Sequence, residues 1–134
     1  MVGQCEIRGI LRTCGRPGVA VCQYCGRTFC DDHGERLADG QEICHRSTCQ
    51  AKKADLARHT EYKAAVAQRN DRRLCGQDEC EASPVGQCSK CRGLFCLAHL
   101  EERTFDERRG SKTVQRVGSL CQHCARRRSL WAQV

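Results

Sequence analysis

The chain is short of the residues from which an ordinary core is built. Of its 134 residues only 3 are Phe, 2 Tyr and 1 Trp, Pro occurs twice, and mean hydropathy is −0.62. The length suffices for one ordinary domain or two very small ones, and neither could be held folded by apolar burial alone; domains this small use disulfides or a metal. No stretch approaches the length of a transmembrane helix, and no charged start, apolar run and small-residue cleavage site opens the chain. The expectation is a reducing, cytoplasmic setting without membrane insertion. No glycine-rich loop matches a phosphate-binding motif, and no βαβ pattern surrounds any Cys-x2-Cys pair.

Cysteine, by contrast, is abundant, with 14 residues. The first half holds Cys5, Cys14, Cys22, Cys25, Cys30, Cys44 and Cys49, and the second holds Cys75, Cys80, Cys88, Cys91, Cys96, Cys121 and Cys124. An odd number of thiols cannot pair into disulfides within a half. Seven thiols and one histidine, however, make eight ligands, which fill two tetrahedral sites. Zinc therefore explains the count, with another soft metal or an iron–sulfur cluster as the remaining alternative.

The histidine is identified by a repeat. An offset of 66 carries Cys14, Cys22, Cys25, Cys30 and His33 onto Cys80, Cys88, Cys91, Cys96 and His99, and it carries Phe29 onto Phe95. Little else matches, so the halves share ligand geometry more than surface. His45, His59 and His123 have no counterpart in register and are not read as ligands. The metal set is then Cys5, Cys14, Cys22, Cys25, Cys30, His33, Cys44 and Cys49, followed by Cys75, Cys80, Cys88, Cys91, Cys96, His99, Cys121 and Cys124. This implies four Zn2+ per chain, two per module.

The intervening residues read as small supports for the ligands. The long gap from Cys5 to Cys14 suits a short strand or turn, and Val19-Ala20-Val21 reads as a strand delivering Cys22. Gly26 allows the positive φ of a knuckle, whereas Arg92 stands there in the second half and predicts a slightly different shape. Phe29 and Phe95 would shield the metals. Asp39-Gly40 signals a hairpin, and the basic insertion from Glu101 to Leu120 predicts another, with its tip at Arg108 to Ser111. The final pairs, Cys44/Cys49 and Cys121/Cys124, each precede helix-forming sequence, whose positive end favours thiolate. From Gln50 to Arg73 a helix of up to about 30 Å is expected. Leu56, His59, Lys63, Val66 and Asn70 trace one face of it, and it reads as a solvated spacer. The domains are thus 1–50, a helical linker 51–74, and 75–134.

The run Cys-x2-Cys-Gly-x2-Phe-Cys-x2-His at Cys22 to His33, flanked by one ligand pair on each side, resembles the cross-brace zinc fingers of the FYVE-type, AN-one-type and B-box group. The resemblance covers the ligand framework of both halves only. It implies a small metal-dominated α+β fold of two tandem cross-brace, treble-clef-like zinc modules joined by a helix. It also implies that first and third pairs share one metal and second and fourth the other. Cys5, Cys14, Cys30 and His33 would form one site and Cys22, Cys25, Cys44 and Cys49 the next. Cys75, Cys80, Cys96 and His99 would follow, then Cys88, Cys91, Cys121 and Cys124. FYVE-type modules read a phosphoinositide through a basic cluster, but Val19-Ala20-Val21 and Val85-Gly86-Gln87 occupy those positions, so phosphoinositide binding is not expected.

Enzymatic readings fare poorly. His33-Gly34-Glu35 and His99-Leu100-Glu101 imitate the His-x-Glu of zinc deaminases, but no Pro-Cys-x2-Cys follows and a fully ligated zinc has no open position. A non-enzymatic adaptor that displays two rigid surfaces to a protein partner is the expectation. The alternative is RNA or DNA binding through arginine patches, and a ubiquitin-system role follows from the B-box and RING likeness. The formal charge of +7 favours nucleic acid less than it suggests: fourteen thiolates around four divalent ions remove six charges, leaving about +1. Candidate partner residues are Arg108, Arg109, Lys112, Arg116, Arg126, Arg127, Arg128 and Trp131.

Overall fold

A two-residue strand has too few hydrogen bonds to persist in water, yet such strands organise both halves of this protein. The computed structural model describes residues 3–9 and 12–133. The chain divides into two compact units, Met1–Leu56 with Leu130–Val134, and Ala57–Ser129.

In the first unit β1 (Ala20–Val21) pairs antiparallel with β2 (Thr28–Phe29), and β3 (Gly34–Arg36) pairs with β4 (Glu42–Cys44). The Asp39-Gly40 signal lies in the loop between β3 and β4, where Gly40 adopts a φ of 91° and the Asp39 carboxylate accepts the Gln41 N–H at 3.1 Å. The Cys5 to Cys14 gap is a bridged turn, with Arg8 opposite Thr13 and the Gly9 N–H bonded to the Arg12 carbonyl; Ile10 and Leu11 lie outside the described residues. α1 (Ser47–Asp71) follows and closes on Arg73, whose φ of 61° is the left-handed conformation that ends many helices.

The second unit repeats the plan. β5 (Gly86–Gln87) and β6 (Leu94–Phe95) pair in the register of β1 and β2, shifted by 66 positions. The supporting hydrogen bonds repeat as well. Val19 N–H to Phe29 O, Gly26 N–H to Cys22 O and His33 N–H to Cys30 O recur as Val85 to Phe95, Arg92 to Cys88 and His99 to Cys96. Leu97–His99 forms a single 3-10 turn. β7 (Glu101–Arg109) and β8 (Lys112–Leu120) then make the inserted hairpin. Its two-residue loop has Gly110 at φ 62° in the first central position, as a type II′ turn requires. α2 (Gln122–Ala132) ends the described chain.

The cores are small and largely thiol. Phe29, Ile43, Ile7 and Ala20 join the cysteines of the first, and Phe95, Leu120, Phe105 and Val66 those of the second. Two expectations about α1 need correction. The helix starts at Ser47 rather than Gln50, and of the face traced through Leu56, His59, Lys63, Val66 and Asn70 only the C-terminal part packs, Leu56 and Lys63 being exposed. Cys49, Lys52 and Asp55 are buried in the first unit, and Tyr62, Val66 and Asn70 face inward in the second. Polar side chains can lie on this face because each finds a partner: Lys52 Nζ donates to the Gln133 carbonyl at 2.5 Å, and Asn70 Nδ2 to the Leu94 carbonyl at 2.9 Å.

Candidate metal centres

Short hairpins and helix starts deliver ligands in pairs. The Cys22 to Cys25 turn links β1 to β2, Cys30 follows β2, Cys44 ends β4, and Cys49 lies in the first turn of α1. In the second unit the turn from Cys88 to Cys91 links β5 to β6, Cys96 follows β6, Cys121 follows β8, and Cys124 lies in the first turn of α2.

These elements gather the sixteen ligands into four groups: Cys5, Cys14, Cys30 and His33; Cys22, Cys25, Cys44 and Cys49; Cys75, Cys80, Cys96 and His99; Cys88, Cys91, Cys121 and Cys124. Within each, the donor atoms lie within 4.8 Å of one another. First and third pairs share a shell and so do second and fourth, which is a cross-brace rather than a sequential arrangement. His45, His59 and His123 belong to no group among the described residues.

The spacing fits a tetrahedral ion. Sγ···Sγ separations are 3.9 Å for Cys14 and Cys30, 3.7 Å for Cys25 and Cys44, and 3.9 Å for both Cys80 with Cys96 and Cys91 with Cys121. Zn–S bonds of about 2.3 Å at tetrahedral angles put sulfurs about 3.8 Å apart, while a disulfide needs about 2.05 Å. Nδ1 of His33 lies 3.5 Å from Cys5 Sγ and 3.4 Å from Cys30 Sγ, and Nδ1 of His99 lies 3.6 Å from Cys75 Sγ and 3.2 Å from Cys96 Sγ. Nδ1 is therefore the ligating nitrogen in both. Each group has four protein donors, the composition of closed structural sites.

Electrostatics within these shells suit a cation. Hydrogen bonds from the neighbouring sulfurs of Cys121, Cys124 and Cys91 hold Cys88 well below the ordinary thiol range. Contact with Cys124, aided by Tyr62, brings Cys121 to about 7. The same crowding, led in both cases by Cys121, pushes Cys91 and Cys124 far up. Four neighbouring thiols cannot all be anions unaided, and a divalent ion removes the conflict. In the first unit burial pushes Cys22 up, but backbone N–H groups of Cys44, Cys25 and Tyr24 outweigh it and bring the thiol to about 7.

Donors from outside the repeat complete both all-cysteine shells. The Tyr62 hydroxyl donates to Cys121 Sγ at 3.2 Å, and Arg46 bonds Cys25, which raises the guanidinium pKa further. Neither was legible in the sequence, because the two lie at unrelated positions and neither falls in the 66-residue register. Backbone N–H groups of Cys96 and Cys121 approach Cys75 and Cys88 sulfurs at 3.3 and 3.4 Å. The knuckles also differ from expectation. Arg92 adopts a φ of 63° where Gly26 has 73°, so the second knuckle keeps the first one's shape despite the substitution.

The candidate partner residues are more engaged than expected. Trp131, in the segment grouped with the first unit, donates from Nε1 to Asp55 at 2.7 Å, meets Tyr24 edge-on at 5.8 Å and lies under Lys52 Nζ, so it is a packed residue rather than an exposed anchor. Arg116 bonds Glu107 at 3.1 Å, Arg109 approaches the same carboxylate at 3.5 Å, and Arg128 donates to the Thr104 carbonyl at 2.9 Å. Arg127 is half-buried, while Arg108, Lys112 and Arg126 are exposed.

Fold and site define a small α+β protein of two tandem cross-brace metal modules with four Cys/His centres. No family model, curated protein or solved structure matches the chain. No described helix is long and apolar enough to cross a membrane.

Proposed function

We propose that the protein is a non-enzymatic zinc protein, with four Zn2+ per chain, that presents metal-fixed surfaces to a protein partner. The observation that carries this reading is the closure of the four centres: every one is filled by four side chains, which leaves no position for a reacting water. Zinc supplies a rigid tetrahedral node, and the chain's own hairpins and helix starts hang from it. All 14 cysteines fall in these groups, so none is left over as a nucleophile. The FYVE, AN-one and B-box likeness agrees with an interaction role. The inserted hairpin lowers the appeal of nucleic acid. Its Arg103, Arg108, Arg109, Lys112 and Arg116 are nearly balanced by Glu101, Glu102, Asp106 and Glu107, which leaves little field for phosphates.

The test combines a metal count with capture. Native mass of the purified chain should show four zinc ions, and protein captured from lysate should survive nuclease and moderate salt. Capture abolished by nuclease would replace this reading with nucleic-acid binding. Ubiquitin chains assembled in a transfer assay would replace it with ligase work.

A further inference from the structure

The β7–β8 hairpin stands where β3–β4 does in the first unit, but its strands are nine residues long instead of three, and its two outer edges are treated differently. The Ser119 carbonyl accepts the Ser89 N–H at 2.8 Å, so Ser119 points its backbone groups away from β7. Alternation along the strand then turns the N–H and C=O of Thr113, Gln115 and Val117 outward as well. None of these groups has a hydrogen-bond partner among the described residues. On β7 the outward positions are the partners of these residues in the ladder. They carry Glu102, Asp106 and Arg108, and at Thr104 the outward carbonyl is taken by Arg128. Charges and a covering side chain are the devices that blunt an edge. β7 has both, while the outward positions of β8 along this stretch are uncharged.

We infer that the β8 edge receives an extended segment of a protein partner as a third strand, and that this segment alternates acidic with β-branched residues. The alternation follows from the two faces of β8. Lys112, Val114 and Arg116 share one face, and Thr113, Gln115 and Val117 the other. β8 contains no acidic residue. On the first face Arg116 shares Glu107 with Arg109 while exposed Lys112 has no ion pair among the described residues, so that face attracts carboxylates chiefly at Lys112. Val117, 59% exposed, offers the second an apolar contact. Backbone hydrogen bonds would supply adhesion and the alternate side chains selectivity. A second copy of β8 would set Lys112 and Arg116 against their own kind, which argues for a foreign acidic strand. The inference rests on the interaction reading above and names its surface.

The probe is a synthetic capped peptide of sequence Glu-Val-Glu-Thr-Glu-Val-Glu, titrated into the full zinc-loaded chain and followed by anisotropy and amide hydrogen exchange. Bound peptide should slow exchange at Thr113, Gln115 and Val117. Gln115→Pro removes an outward N–H without touching the β7 ladder and should abolish binding. Asp106→Pro makes the same change on the opposite edge and should leave binding intact, which controls for damage to the hairpin. Lys112→Glu with Arg116→Glu should weaken binding about tenfold. Loss of binding in Asp106→Pro, or no binding at millimolar peptide, would overturn the inference. So would protection of the same amides that grows with protein concentration alone, since a second copy would then be the occupant. Protection at other residues would overturn the edge and leave the interaction reading standing, whereas nuclease-sensitive capture would remove that reading itself.

Discussion

Replacing Cys88 by Ala deletes one ligand from a shell of three buried thiols and half-buried Cys91, at a residue 0% exposed whose sulfur accepts the Cys121 N–H at 3.4 Å. The buried apolar side chains of that unit besides its cysteines are Val66, Phe95, Phe105 and Leu120. At about 1.5–3 kcal/mol each they contribute about 6–12 kcal/mol gross. A structural zinc site contributes about 10–16 kcal/mol, so one shell matches or exceeds the whole apolar cluster and two exceed it. Cys88→Ala should therefore drop the native-mass metal count below four and remove exchange protection from Phe95 and Leu120, while Phe29 and Ile43 keep theirs. Cys22→Ala, its mate in the repeat, should do the converse. Phe105→Ala is the control: it should cost about 3–5 kcal/mol and still bind four metals. If Cys88→Ala holds four metals, or if its second unit stays protected in excess chelator, the premise that metal rather than apolar burial holds this fold is wrong.

Three further outcomes follow from local geometry. A Cβ added at Gly34 would run into the Phe29 ring, so Gly34→Ala should destabilise the zinc-loaded first unit by about 1–3 kcal/mol in a denaturant titration, with partial recovery on adding Phe29→Leu. Arg92 pays about 1–2 kcal/mol for its left-handed φ, less the extra chain entropy glycine loses, so Arg92→Gly should stabilise by about 0.5–1 kcal/mol and Gly26→Arg should do the opposite; a destabilising Arg92→Gly would show that the side chain contributes contacts beyond the backbone. Tyr62→Phe removes the hydroxyl that donates to Cys121 and should weaken metal retention in the second unit about tenfold in chelator competition, whereas unchanged retention would mean the hydroxyl serves packing alone.

How much of this was legible from residues alone depended on whether coordination dictated them. Cys14, Cys22, Cys25, Cys30 and His33, which the hairpin and its knuckle hold in fixed geometry, share one offset and exposed the module count and α+β class, whereas Cys5, Cys44 and Cys49 have mates outside that offset and were assigned by the ligand count. The inserted hairpin announced itself through Gly110. The packed face of α1 did not, because Lys52 and Asp55 are polar residues whose partners lie 81 and 76 positions away, at Gln133 and Trp131. Hydrophobic periodicity cannot see a buried side chain that is there for its hydrogen bond. For the same reason the sequence left Trp131 open between core packing and an anchor for a partner, and did not reveal Asp55 and Tyr24 as the residues it packs on.

The packing around the repeated hairpins shows why the rest of the sequence could drift. Ala20 and Gly34 in the first unit stand where the second has Gly86 and Leu100. A Cβ at Gly86 would come within 2.9 Å of Leu100, so the large residue at one position is matched by the missing side chain at the other. The strands nevertheless keep one register, and Arg92 is bent into glycine's conformation to preserve the knuckle. A scaffold anchored by ions needs only that its ligands arrive. Side chains between them can then exchange size in compensating pairs, and the surfaces are released to diverge, which is the condition for two modules of one plan to have different partners.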